Sequence, residues 1–273
     1  MTLIEIIGFL SAAIIGISLG LIGGGGSILT VPVLVYLLGI NPVTATAYSL
    51  FIVGFSSLVG GLNYAKKGLV NYKTGIVFTI PAFISVYLTR LLLVPALPES
   101  WFYIGGLEIT RSIGIMVIFA ILMIAASYSM IKGKKKVAEE AEEEAGETVQ
   151  KFNYPLIIVE GIVVGALTGL VGAGGGFLII PALVVLAKLP MKEAVGTSLL
   201  IIAAKSLIGF IGDIQSGGEI DWVFLAIFTV IAGSGIFIGS YLSNLIDGQK
   251  LKKGFGWFVL IMGSIMIFKE LFM

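Results

Sequence analysis

Apolar residues fall into ten stretches along the chain, separated by short polar or glycine-rich breaks. They cover about residues 4–22, 27–39, 44–64, 74–93, 110–131, 155–172, 176–187, 193–212, 222–244 and 254–272. An apolar run of about 18 residues or more predicts a membrane-spanning helix. The first two stretches need a different account. As one straight helix, residues 4–39 would reach about 54 Å, against a bilayer core of about 30 Å. The glycine run between them therefore predicts either a hairpin tip or a broken helix with one and a half crossings.

Composition agrees with the pattern. Of the residues, 58% are hydrophobic and 12% charged, with a mean hydropathy of +1.08; soluble domains carry about 25% charged residues. Eleven of the 33 charges sit between Lys132 and Lys151, which predicts a solvated linker over 132–153. Residues 1–5 have neither a basic region nor a small-residue cleavage site, so the stretch from Ile4 reads as a working membrane segment. A net charge of +1 gives no reason to expect nucleic acid, and no nucleotide motif is present. The absence of cysteine and histidine excludes thiol chemistry, the usual zinc ligand sets and a histidine proton relay. No cofactor is implied.

The chain is duplicated. Gly16 to Pro32 and Gly165 to Pro181 align without gaps at an offset of 149. Gly16, Gly20, Gly23, Gly25, Gly26 and Pro32 meet Gly165, Gly169, Gly172, Gly174, Gly175 and Pro181. Further on, Ala45, Ser49 and Leu50 meet Ala194, Ser198 and Leu199. After one inserted residue, Gly68 and Asn71 meet Gly218 and Asp221. The expected organisation is a first repeat at 1–131, a charged cytoplasmic linker at 132–153 and a second repeat at 154–273.

Positive charge marks the cytoplasmic side. The lysines at 132–136, and Lys250, Lys252 and Lys253, place their loops inside. Counting back puts the loop of Asp213, Glu219 and Asp221 outside and Lys188 and Lys192 inside. Residues 155–187 then begin and end on the same side, as a re-entrant hairpin does. The same count puts Lys66, Lys67 and Lys73 inside, residue 40 outside and, with a hairpin there too, the N-terminus outside. Arg90 and Arg111 fall on the outer side, against the rule. One hairpin plus three spans per half is an odd number of crossings, so the fold class expected is an all-α membrane protein of two inverted-topology repeats.

Non-helical backbone inside a bilayer survives only where protein buries it or a wet cavity lines it. Gly16, Gly20, Gly165 and Gly169, at i,i+4 spacing, read as close helix packing. The runs Gly23, Gly24, Gly25, Gly26 and Gly174, Gly175, Gly176 read as a binding feature. The helices expected after them, near Ser27 and Phe177, offer free N–H groups and a positive dipole end to an anion. No Gly-Lys-Ser/Thr follows, so these are not phosphate loops.

Lys205, inside an apolar span, is a functional candidate because an intramembrane charge is costly. Thr197 and Ser198 lie on its helix face. Thr46 and Ser49 hold the matching region of the first half, and Ser56 the place of Lys205. Glu160 reads equally as an ion-pair partner of Lys205 and as a proton-coupling carboxylate. Asn63 and Asp213 read as helix-end residues, and Arg90 as a side chain that snorkels to the outer surface.

The motifs Gly23 to Pro32 and Gly172 to Pro181, with Ala194 to Leu199 followed by Lys205 to Phe210, resemble the TauE/SafE family of sulfite exporters over nearly the whole chain. The resemblance implies export of sulfite, a sulfonate or a related small organic anion by a secondary transporter of the cytoplasmic membrane. The family's coupling mechanism is not carried over; a coupling proton or other ion is an expected partner on this chain's own account. The substrate-binding candidates are then Gly23 to Ser27, Thr46, Ser49, Gly174 to Gly176, Thr197, Ser198 and Lys205, with Glu160 as coupling candidate. A channel using the same tips as a filter is the alternative; an intramembrane enzyme ranks last, having no clustered carboxylates.

Overall fold

The computed structural model describes residues 3–104, 107–132, 154–185, 187–217, 219–242 and 248–272. The charged linker beyond Lys132 lies outside them. The described residues are all-α apart from one small hairpin. Helix α1 (Leu3–Ile22) ends at the first glycine run. There follow α2 (Pro42–Lys66), α3 (Tyr72–Ala96) and α4 (Arg111–Lys132). The second half repeats the order with α5 (Tyr154–Val171), α6 (Gly176–Val185), α7 (Met191–Gln215), α8 (Trp222–Leu242) and α9 (Gly248–Phe272). By length and apolar composition five helices among the described residues can cross a membrane: α2, α3, α7 and α8 in full, and α4 over Arg111–Tyr128. Leu10, Ile14, Ile76, Leu92, Val223, Val230 and Phe237 all stand exposed, an apolar surface that suits lipid and not water.

Local chemistry sets the helix starts. Asn71 accepts from the Thr74 N–H and so caps α3; Asp221, its counterpart, accepts from the Phe224 N–H ahead of α8. Asn41 does the same for α2 with Val43. Within α3, Pro81 and a π-helical turn at Thr89–Leu93 loosen the regular ladder. Between α3 and α4, β1 (Ser100–Ile104) pairs antiparallel with β2 (Leu107–Thr110), with a bulge at Ser100/Phe102. The long stretch from Leu93 to Glu108 thus holds the end of α3 and this hairpin.

The two halves interlock. Helix α1 packs parallel to α8: a Cβ on Gly16 would come 1.9 Å from the Ala232 carbonyl oxygen, and one on Gly20 2.3 Å from that of Ile236. Helix α5 packs parallel to α3 in the same way, with Gly165 against Ala82 and Gly169 against Thr89. These four glycines serve close backbone approach, as their spacing predicts. The equivalent helices α2 and α7 cross antiparallel, Gly54 against Leu207 and Gly61 against Leu200. So do α4 and α9, through Gly256 against Met130 and Gly263 against Met123.

Crossed hydrogen bonds repeat the relation. The Asp221 N–H donates to the Tyr48 hydroxyl (2.6 Å) and the Asn71 N–H to the Thr197 hydroxyl (2.9 Å). Tyr48 and Thr197 are equivalent positions, as are Asn71 and Asp221. Each bond joins one half to the other.

Candidate functional site

The two glycine runs meet. Helix α1 stops where Gly23 takes φ +71°, and α5 stops where Gly172 takes φ +71°. Only glycine enters this region without strain. A Cβ on Gly23 would lie 2.8 Å from Val195, and one on Gly172 2.4 Å from the Thr46 carbonyl oxygen. Val195 and Thr46 are equivalent, so each turn rests against the first turns of the other half's central helix. The Ser27 hydroxyl donates to the Ala173 carbonyl oxygen at 2.5 Å, and Gly174 approaches both Ser27 and Val53. The turns are therefore in contact with each other.

Their local forms differ. Helix α6 starts at Gly176, as the expectation near Phe177 requires. In the first half no helix waits until Ser27: Gly23–Leu29 already coil as a 3-10 helix, Gly24 and Gly25 included. Beyond it the chain runs back along α1, so that Leu38 packs against Gly8. The second turn has the more open backbone, with Gly174 at φ +62° and Gly175 at φ +74°.

Lys205 projects from α7 to the second turn. It is wholly buried, and its Nζ donates to Thr168 Oγ1 at 2.7 Å. That nitrogen also lies 3.4 Å from where a Cβ on Gly175 would stand. Thr168 passes its own proton to the Gly165 carbonyl oxygen, which leaves a lone pair for the ammonium. Thr168 was not among the sequence candidates; its place one turn before Gly172 on α5 is the signal that could have found it. Lys205 does not pair with Glu160. Residues 160 and 168 are two turns apart on α5, and the lysine reaches the later one. The Glu160 Oε2 atom has no hydrogen-bond partner, and among the described residues no carboxylate stands within ion-pair distance of Lys205.

The other candidates divide. Thr46 donates to the Val43 carbonyl oxygen and sits on the second turn. Ser49 shares that face of α2, between Thr46 and Val53, and its hydroxyl is buried without a partner. Ser198 is buried and donates to the Val195 carbonyl oxygen. Thr197 turns away, toward Asn71 and a hollow of about 260 Å³ between α3 and α7. Ser56, Ser57 and Ser206 are also buried hydroxyls without partners. Each unmet buried hydroxyl costs about 1–3 kcal/mol, so this band of α2 and α7 is polar beyond what packing needs. Ser27, Thr46, Ser49, Ser198 and Lys205 all have zero exposure, so these groups are shut off from solvent.

Arg90 overturns its expected place. It is wholly buried and does not snorkel to the surface. Its Nη1 contacts Asp213 Oδ1 at 3.3 Å and Thr46 Oγ1 at 3.1 Å. Asp213 is accordingly an ion-pair partner joining α7 to α3, beyond a helix-end role. A guanidinium held by a carboxylate need not reach headgroups, and this offsets the penalty that makes snorkelling the usual outcome. Tyr87, on the same face, donates to Gln215 Oε1 at 2.5 Å. One of the two arginines counted against the orientation is therefore no loop charge at all. Arg111 opens α4, its guanidinium 3.5 Å from the Leu97 carbonyl oxygen.

The chemistry is lopsided although the frame is symmetric. At the offset of 149 the counterparts of Lys205 and Asp213 in the other half are Ser56 and Tyr64, and after the inserted residue that of Arg90 is Ser240. Both buried cations belong to the second turn.

No solved structure matches the chain. It is similar to a probable membrane transporter protein of Xylella fastidiosa, 29% identical over 95% of this chain and 94% of the relative. It is also similar to the probable membrane transporter protein YunE of Bacillus subtilis, 28% identical over 92% of this chain and 93% of the relative. YdhB, a probable membrane transporter protein of the same organism, is 27% identical over 93% of this chain and 97% of its own length. The sulfite exporter TauE/SafE family matches residues 8–266. The chain belongs to that family, and is a multi-pass membrane transporter.

Proposed function

We propose that this transporter is a secondary exporter of a small anion, in the class of sulfite and sulfonates, working by alternating access. The anion binds where the two glycine turns meet, and Lys205 is its charge anchor. The observation that carries this reading is a fully buried ammonium at the second turn with no carboxylate, among the described residues, to neutralise it. A buried charge of this kind is stable when a counter-charge visits the site. The Ser49 hydroxyl, the Ser27 turn and the first turn of α6 supply further donors, and Ser198 does so once its hydroxyl turns from the Val195 carbonyl oxygen. Glu160, not engaged by Lys205, is the coupling candidate.

Two halves of opposite orientation suit this mechanism. Antiparallel crossing of α2 with α7 and of α4 with α9 supports a two-fold axis in the membrane plane. The return of Leu38 to Gly8 supports a re-entrant first hairpin. In this topology α9 is a sixth span, and residues 1–131 and 154–273 are repeats joined by a cytoplasmic linker. The chain has no native cysteine, so single cysteines report the sidedness. A cysteine at Glu99 is labelled by an impermeant maleimide on intact cells, and one at Lys67 only after permeabilisation. The reverse pattern refutes the orientation.

The functional test is flux into proteoliposomes of sulfite, sulfoacetate, thiosulfate and acetate, with and without a proton gradient. Uphill accumulation of a sulfur oxyanion, lost on collapsing the driving gradient, is the expected result. Purely downhill flux would identify a channel and end the alternating-access reading. Transport of acetate alone would remove the sulfur oxyanions as substrates.

A further inference from the structure

Arg90 is more than half of an ion pair. Both hydrogens of its Nη1 are spoken for, one by Thr46 and one by Asp213. Its Nε and Nη2 are buried and have no partner. Together those two nitrogens form one edge of the guanidinium, the fork that holds two oxygens of a carboxylate, sulfonate or phosphate side by side. Asp213 does not occupy that edge. It touches Nη1 only, at 3.3 Å, longer than a close charge-assisted bond of about 2.7–2.9 Å, and its Oδ2 is also without a partner. A purely structural arginine–carboxylate pair closes in bidentate fashion where it can; this one leaves the fork open.

The location fits a ligand. Thr46, which holds Nη1, packs directly on Gly172, and Gly212 beneath the Arg90 Cβ leaves α7 flat there. Lys205 and Asp213 lie eight residues apart on α7, about 12 Å along its axis. The second turn, Gly172 to Gly175, runs from Thr46 at one end to Lys205 and Thr168 at the other.

We infer that the open Nε–Nη2 edge of Arg90 is a second anion-binding position, which takes two oxygens of the transported oxyanion at the Thr46 end of the turn while Lys205 serves the opposite end. Asp213 orients the guanidinium through Nη1 and competes weakly for its charge. The inference rests on the anion-transport reading and adds to it a recognition element for a planar pair of oxygens, which an ammonium cannot supply.

The test is equilibrium binding to purified protein of sulfite, sulfoacetate, thiosulfate and acetate, by calorimetry, with melting temperature measured alongside. Arg90→Lys keeps the charge and the reach to Asp213 but removes the fork, and is expected to weaken the tightest of these anions by about tenfold or more. Asp213→Asn preserves shape, keeps an acceptor for Nη1 and removes a competing charge, and is expected to tighten binding several-fold. Wild-type affinity in Arg90→Lys, or unchanged or weaker binding in Asp213→Asn, overturns the inference and leaves Arg90 with the ion pair alone. Should Arg90→Lys fail to fold, Asp213→Asn decides by itself. If the wild-type protein binds none of the four anions, both this inference and the anion-transport reading fall; if it binds and transports them regardless of these substitutions, only this inference does.

Discussion

Lys205→Ala is expected to lower anion flux by at least about a hundredfold while leaving the protein folded. The two effects separate because of what surrounds the ammonium. Truncating one member of a buried ion pair strands the other and costs about 3–5 kcal/mol. Among the described residues no carboxylate pairs with Lys205, so alanine strands only the Thr168 hydroxyl, which already donates to Gly165. Loss of packing around the alkyl chain is set against relief of a desolvated charge. Flux into proteoliposomes, read beside the melting temperature, measures both. Near-normal flux with a normal melt would remove Lys205 from the site. A protein that no longer accumulates in the membrane would assign it a structural role.

Gly172→Ala should fail differently, losing stability and flux together. At φ +71° an L-residue is strained by about 1–2 kcal/mol. A Cβ there also falls 2.4 Å from the Thr46 carbonyl oxygen, and backbone cannot swing aside as a side-chain tip can. Gly68→Ala is the control: φ is +70°, but nothing lies within 4 Å of its Cβ, so strain alone remains and transport persists. Gly23→Ala should fall between, because the Cβ there meets the Val195 side chain at 2.8 Å. The expected order of damage is Gly172, Gly23, Gly68. Equal effects at Gly172 and Gly68 would show that close contact between the turn and α2 is dispensable.

Much of this frame can be read without coordinates, because a bilayer imposes a long-range length rule on each apolar run. The stretches at 44–64, 193–212 and 222–244 predict α2, α7 and α8 to within a few residues. The offset of 149, which becomes 150 after one inserted residue, marks the pairs that turn out to be equivalent, down to Asn71 and Asp221. What the sequence hides is partnership across the fold. Arg90 and Asp213 are 123 residues apart and each lies near the end of a span, where the usual fate of a charge is the headgroup region. Glu160 and Lys205 are a plausible pair by sign, yet helical geometry hands the lysine to Thr168. The β-hairpin did leave a signal: Gly105 and Gly106 sit between aromatic and branched residues, a strong hairpin pattern masked by an apolar scan. Which half covers which helix has no signature in a single sequence.

That last arrangement bears on how the chain is made. Helix α1 carries Gly16 and Gly20 on a face that packs against Ala232, Ile236 and Gly239. Its partner is some two hundred residues away. At a synthesis rate of about 5–20 residues per second, the flat glycine face of α1 waits about ten to forty seconds before α8 exists to cover it. Until then that strip stands without its partner inside a crowded membrane, so α1 enters the bilayer well before it can pack, and the fold closes only when the last third of the chain arrives.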